Sequence, residues 1–325
     1  MKPILITQGD AAGIGPETLV KAWGQRPPGP AVVVGDVGVM RRALVQCGLS
    51  MPVAQLETPD EAAPPGALPV WAPADLPATL LTGQQGQVRA DCGLAAALCI
   101  EQAVAALQAG RGRALVTAPI HKEALHAAGV PFPGHTEMLQ ALAGVPAVRM
   151  MLVNTELRVA LVTVHVALRR AVDLVTRAAV LETLEMLDAM LRERLGLARP
   201  RIAVAGLNPH AGEGGLFGDE ELREIAPAIA DARARGLDAS GPYAPDTVFM
   251  RARAGEFDAV VAMTHDQGLI PVKYLGLDEG VNLTLGLPFL RTSPDHGTAF
   301  DIAGSGRADP RSLLAAWRLA ANLAT

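Results

Sequence analysis

Three short apolar runs in this chain each lead to a histidine, and that pattern narrows the folds open to it. Residues 157–164 end in His165, and residues 201–205 lead through Gly206-Leu207-Asn208-Pro209 to His210. Residues 259–263 stop two positions before His265. Each run has the length and β-branched content of a buried strand. Amphipathic stretches over 177–195 and 219–235 lie between them, so the segments read as βα units with neighbouring strand ends. Open α/β sheets hold their ligands beyond the carboxyl ends of the strands. One histidine there is a hydrogen-bonded polar residue and no more. Three imidazoles with open positions for water or substrate match a catalytic divalent ion, zinc especially.

The polar residues are densest over 258–304, where Thr264-His265-Asp266-Gln267-Gly268 is followed by Lys273, Asn282, Arg291 and the run Asp295 to Gly304. Arg291 offers a planar fork for phosphate or carboxylate, and Lys273 a compact charge able to act as a general acid when desolvated. Each reads equally as a solvated surface charge. Asp266 is a partner for His265 or a helix N-cap, and Asp246 caps the next helix or moves a proton. His121 follows a strand and faces the same crevice in this reading; His126 is structural. In Pro133-Gly134-His135-Thr136-Glu137, Thr136 is placed to cap a helix.

Toward the amino terminus, residues 2–7 read as a strand and Gly9 to Glu17 as its turn into a helix, with Pro16 at the first helical position and Glu17 complementing the dipole. Such a turn binds an anion or is simply tight. Further strands are expected at 31–34 and 114–117, and helices at 37–47 and 90–109. Residues 52–88 form an irregular excursion with extended pieces at 53–56 and 68–71.

With 325 residues, half of them hydrophobic, the chain has core enough for two domains. A net charge of −5, no basic run and few aromatics argue against nucleic acid as a partner. Three unclustered cysteines suit a reducing compartment. Residues 4–6 are too short for a signal peptide, and no stretch of about 18 apolar residues is read as a membrane span. A cytoplasmic protein is expected, with no membrane partner.

Several segments resemble the 4-hydroxythreonine-4-phosphate dehydrogenase family of pyridoxal phosphate biosynthesis, in order and along essentially the whole chain. They are Gly9-Asp10 with Gly13-Ile14-Gly15-Pro16-Glu17, Thr117-Ala118-Pro119-Ile120, Pro133 to Glu137, Gly206 to Glu213, His265-Asp266-Gln267-Gly268 and Arg291-Thr292-Ser293-Pro294-Asp295-His296-Gly297-Thr298. His296 to Gly304 is also similar to the cofactor segment of isocitrate and isopropylmalate dehydrogenases. Ala11, His121 and Thr264 depart from the family's usual proline, asparagine and tyrosine, and Asp309 stands where isocitrate-type enzymes tend to have asparagine.

The resemblance implies an α/β fold of two α/β/α domains flanking a cleft, isocitrate/isopropylmalate dehydrogenase-like. The first domain would comprise residues 1–125 plus about 293–325, and the second 126–292 with most metal and substrate residues. It implies a homodimer whose partner helps complete the site. His165, His210 and His265 would bind zinc, magnesium or cobalt; His135, Thr136, Lys273, Asn282 and Arg291 would bind a small phosphorylated substrate. Asp295, His296, Gly297, Thr298 and Asp301 would lie along NAD or NADP, with Lys273 and Asp246 as acid and relay. The implied reaction is oxidation of 4-phosphohydroxy-L-threonine and β-decarboxylation to 3-amino-2-oxopropyl phosphate; the alternative substrate is threonate or erythronate 4-phosphate. A non-catalytic anion-binding protein and a phosphotransacylase are the rival classes.

Overall fold

The computed structural model describes residues 1–25, 28–276 and 280–324. Contacts divide the chain into two compact units, Met1–Ala147 with Leu287–Thr325, and Val148–Gly286.

The first unit opens with β1 (Ile4–Thr7), α1 (Gly15–Gly24), β2 (Ala31–Val34), α2 (Val37–Gln46), β3 (Val53–Leu56) and β4 (Leu68–Trp71). It continues through α3 (Ala90–Gln108), β5 (Ala114–Thr117), α4 (Lys122–Ala127) and α5 (His135–Ala143). The second unit holds β6 (Arg149–Val153), β7 (Arg158–Leu161), α6 (Leu168–Leu174), α7 (Arg177–Glu193), β8 (Arg201–Ala205) and α8 (Ala226–Ala234). It ends with β9 (Asp238–Tyr243), α9 (Val248–Arg253), β10 (Ala259–Ala262), α10 (His265–Tyr274) and β11 (Val281–Leu285). The chain then returns to the first unit as β12 (Leu290–Pro294) and α11 (Arg311–Leu323).

In the first unit the strands run β3-β4-β2-β1-β5-β12, all parallel. Every residue of β1, β2 and β5 is buried, as strands covered by helices on both faces require. Leu5, Val32, Val34 and Leu115 face α3 across a core that includes Ile100, Ala103 and Leu107. The extended pieces expected inside the 52–88 excursion are β3 and β4, so that stretch finishes the sheet. On α11, Trp317 is fully buried and its ring lies 5.2 Å from that of Trp23 on α1. Trp317→Ala is expected to cost about 3–5 kcal/mol of stability, read as a fall in the denaturant midpoint with little change in slope.

Two expectations need correction here. Helix α3 is long and apolar enough to qualify as a span by length and composition, at mean hydropathy 1.5. Its apolarity is spent on the core it packs into, with Cys99, Ile100 and Ala103 unexposed. The domain boundaries expected at 125 and 293 fall instead at 147/148 and 286/287. Residues 122–143 contain no strand, and α4 and α5 place Leu125, Met138 and Leu139 in the first unit's core. Gly93 on α3 permits this, because a Cβ there would stand 2.1 Å from the Ala124 carbonyl oxygen. His135, Thr136 and Arg291 therefore belong to the first unit.

The second unit's strands run β11-β6-β7-β10-β8-β9. β11, β6 and β7 are antiparallel, whereas β7, β10, β8 and β9 run parallel. One sheet face packs Val159, Leu161, Ala203 and Val260 against Val248, Phe249, Leu269 and Val272 of α9 and α10. α7 and α8 supply Leu184, Leu187 and Ile229, also buried. A parallel run of four strands puts four carboxyl ends on one edge.

Candidate active site

That edge carries the three histidines. His165 follows β7, His265 begins α10 directly after β10, and His210 follows β8. The His165 and His265 rings lie 5.6 Å apart, tilted by 48°, in a pocket also lined by Thr163, Thr264 and Asp266. His265 Nδ1 is 2.7 Å from Asp266 Oδ1. With its proton on that side, the imidazole presents Nε2 as a lone pair, the arrangement by which a neighbouring carboxylate orients a metal-ligating histidine. Asp266 thus partners the histidine, and Thr264, not Asp266, is the N-cap of α10.

His210 is held differently. Residues His210, Ala211, Gly212, Glu213 and Gly214 all adopt left-handed backbone, with φ of 52°, 53°, 79°, 43° and 67°. Three of these are not glycine, and such conformations cost on the order of 1–3 kcal/mol each. The His210 ring stands 6.2 Å from Phe217. Among the described residues no group of three or more His, Cys, Asp or Glu side chains is gathered closely enough to hold a metal. The structure therefore pairs His165 with His265 and leaves His210 on the adjacent strand end, outside that pair. The donors suit a borderline divalent ion, since two imidazoles converge and one has its tautomer set.

Other expected residues of this unit are more scattered. Asp246 is exposed in the turn after β9, and Thr247 rather than Asp246 occupies the N-cap of α9. Lys273 lies in the last turn of α10, and Asn282 is half-buried in β11 opposite Leu152.

In the first unit, Arg291 on β12 is 3 % exposed, and its Nη2 and Nε donate to Thr117 Oγ1 at 2.6 and 3.2 Å. Burial pulls its guanidinium down to about 10, still charged at neutral pH. His135 opens α5 with its Nε2 shielded from solvent; burial, then the Arg291 charge, hold this imidazole well below the usual histidine range. A buried cation beside a neutral imidazole is an arrangement able to take an anion. The helix cap is Gly134, so Thr136 lies inside α5 and is half-buried. Thr117, unassigned from sequence beyond its motif, proves to be the Arg291 partner.

The 295–308 segment is fastened to the first loop and α1. Ile14 N donates to Thr298 O at 3.0 Å, and Gly304 N donates to the buried Glu17 at 2.5 Å. Lys21 Nζ donates to the Gly306 and Ala308 carbonyls at 2.5 and 2.8 Å. Glu17 thus secures this segment, a role beyond the dipole. His121 stacks on Phe300 with ring centroids 4.6 Å apart and planes within 9°. His121 Nδ1 and His296 Nε2 are shielded without a partner among the described residues, and Gly297 and Asp301 are exposed beside them. Such orphaned polar atoms fit a polar dinucleotide lying along the segment.

Asp10 is also fully buried here: its Oδ1 accepts from Ala12 N at 2.8 Å, while Oδ2 is unpartnered. Burial pushes the carboxyl from 3.8 up to about 6, against the Ala12 hydrogen bond. The folded chain then keeps a proton that the unfolded chain releases, so stability falls as pH rises through that window, by about 3 kcal/mol from this group. Asp10→Asn is expected to remove that fall. Urea midpoints of both proteins at about pH 4 and about pH 7 measure it.

The two units are those of an α/β protein, and the relatives this chain matches are dehydrogenases. The family model for pyridoxal phosphate biosynthetic protein PdxA matches residues 29–320. The chain belongs to that family. It is 52% identical over 323 residues to a 4-hydroxythreonine-4-phosphate dehydrogenase of Beijerinckia indica subsp. indica, covering 99% of this chain and 95% of the relative. It is 47% identical over 330 residues to a D-threonate 4-phosphate dehydrogenase of Pectobacterium atrosepticum, covering 99% of each. Among solved structures, a Klebsiella pneumoniae 4-hydroxythreonine-4-phosphate dehydrogenase superposes with TM-score 0.92 at 45% identity, covering 99% of this chain and 98% of that one.

Proposed function

We propose that this dehydrogenase oxidises 4-phosphohydroxy-L-threonine at its secondary hydroxyl with NAD or NADP, then decarboxylates the β-keto acid to 3-amino-2-oxopropyl phosphate, in pyridoxal 5'-phosphate biosynthesis. The observation that carries this reading is the buried Arg291 beside neutral His135, in a chain 52% identical end to end to an enzyme named for that substrate.

Arg291 and His135 hold the substrate's anionic end by charge and by an imidazole N–H, and Thr117 keeps the guanidinium oriented. Thr136 and Asn282 add neutral hydrogen bonds. Asp266 keeps the His265 tautomer that leaves Nε2 free. A divalent ion (zinc, magnesium or cobalt) held by His165, His265 and His210 would supply Lewis acidity toward the hydroxyl and the later enolate charge. A nicotinamide cofactor along Asp295, His296, Gly297, Thr298 and Asp301 would accept the hydride. Once the carbon–carbon bond to carbon dioxide breaks, Lys273 protonates the enolate carbon, and Asp246 returns a proton from solvent. Lys273 lies eight residues along α10 from His265, about 12 Å of helix rise. A homodimer whose partner copy helps complete the site goes with this reading, by the family resemblance. The cytoplasm is the compartment of this chemistry.

A second reading, the same oxidative decarboxylation of D-threonate 4-phosphate or erythronate 4-phosphate, is favoured by the 47% identity to the Pectobacterium enzyme across 99% of both chains. Reduced-nicotinamide formation with each substrate, with divalent metal added or chelated, separates the two. A higher kcat/KM for the amino substrate supports the first; preference for the hydroxy acid moves the chain to the second. No turnover of either sinks both.

A further inference from the structure

We propose that Glu17 and Lys21 on α1 are positioning residues for the nicotinamide cofactor. Together they would clamp the turn at 304–308 and so hold the preceding residues, 295–301, in the shape that receives the dinucleotide. The proposal rests on the reading of 295–301 as the cofactor segment.

The segment does not lie in a relaxed conformation. Ala299, between Thr298 and Asp301, has left-handed backbone at φ 41°. Such a residue persists only where its surroundings over-determine it, and it is found at ligand clamps. The chain is held on both sides of Ala299. Before it, Ile14 N donates to Thr298 O at 3.0 Å. After it, the Phe300 ring stacks on His121, and a Cβ at Gly86 would stand 2.5 Å from the Phe300 carbonyl oxygen.

The third hold is the unusual one. Glu17 and Lys21 are four residues apart on α1 and so share one face of the helix. The fully buried Glu17 carboxylate accepts from Gly304 N at 2.5 Å, and Lys21 Nζ donates to Gly306 O at 2.5 Å and Ala308 O at 2.8 Å. One helix therefore takes both polarities of the same turn, its N–H by a carboxylate and its carbonyls by an ammonium. The turn is left-handed at Gly304 and Gly306, with φ of 80° and 69°. From α2 it is pressed by Gln46, whose carbonyl oxygen would stand 2.5 Å from a Cβ at Gly306. Burying a carboxylate against one backbone N–H is costly, and its Oε2 has no partner among the described residues. A surface turn closes with far less. A binding segment that must be ready before its ligand arrives gains from such a hold, because affinity falls in proportion to the fraction of molecules in the competent shape.

Glu17→Met and Lys21→Met each keep an unbranched, flexible stem and remove the charged end. NADH and NADPH are titrated calorimetrically into wild type, and the tighter of the two is then titrated into both variants. Amide exchange over 298–308 is followed in the cofactor-free proteins. Each variant is expected to weaken the nucleotide by about tenfold or more, the weight of a hydrogen bond to a charged group. Exchange at 304–308 is expected to quicken while β12 and α11 stay protected. Faster exchange with wild-type nucleotide affinity makes the clamp a structural tether and overturns the inference. Unchanged exchange in both variants overturns it equally. If Glu17→Met fails to fold, Lys21→Met, at a half-buried position, decides by the same two readouts. A wild-type chain that takes up neither nucleotide sinks the cofactor reading itself, and this inference with it.

Discussion

His265→Ala is expected to lose tight divalent-metal binding and more than about 100-fold in turnover, since disturbing even a ligand's supporting partner costs about 10–100-fold. The side chain is 36 % exposed beside His165, so its removal leaves no buried cavity and the melting temperature should barely move. Metal content after dialysis and kcat with saturating substrate are the two measurements. A variant that turns over at the wild-type rate after chelation would remove the metal from the mechanism altogether. Asp266→Asn should give a smaller loss of the same kind, because the imidazole remains and only its orientation is relaxed.

Arg291→Met should act on the other unit and leave a different signature. The guanidinium is buried, and its pKa is drawn down to about 10 by desolvation. Removing one partner of a buried charge pair costs about 3–5 kcal/mol, so kcat/KM should fall by more than about 100-fold, with KM taking most of it. The substrate-free protein should be as stable as wild type or more so, because methionine relieves the desolvation of the cation. Loss of stability together with unchanged KM would make Arg291 a structural residue held by Thr117. Zinc binding should survive this substitution, which separates it from His265→Ala.

Much of the secondary structure was legible because its cues are local. β2, β5 and β8 follow from short β-branched runs, α3 from its long Ala/Leu-rich composition and α7 from its amphipathic periodicity. Even β3 and β4 stood out as extended pieces, although the proline-rich stretch around them concealed that they close a sheet edge. That a histidine follows each of β7, β8 and β10 was legible for the same reason, since strand, turn and histidine are contiguous in each case. The domain boundary was not: α4 and α5 carry no local mark of allegiance, and only the fit of Ala124 against Gly93 and the burial of Leu125, Met138 and Leu139 in the first unit's core assign them to it.

The amino-acid order by itself determined that this chain makes parallel βα units, that imidazoles stand at their carboxyl ends, and that its motifs are those of one enzyme family. Tertiary structure alone decided that Arg291 meets Thr117 across 174 residues. It also decided that burial makes His135 neutral, that Glu221 reaches back 14 residues to hold Leu207, and that His210 stands apart from the other two histidines. Periodicity and capping act over a few residues and leave a pattern in the sequence. Burial, charge coupling and the locking of a strained turn arise only when distant segments close on one another, and no local pattern records them.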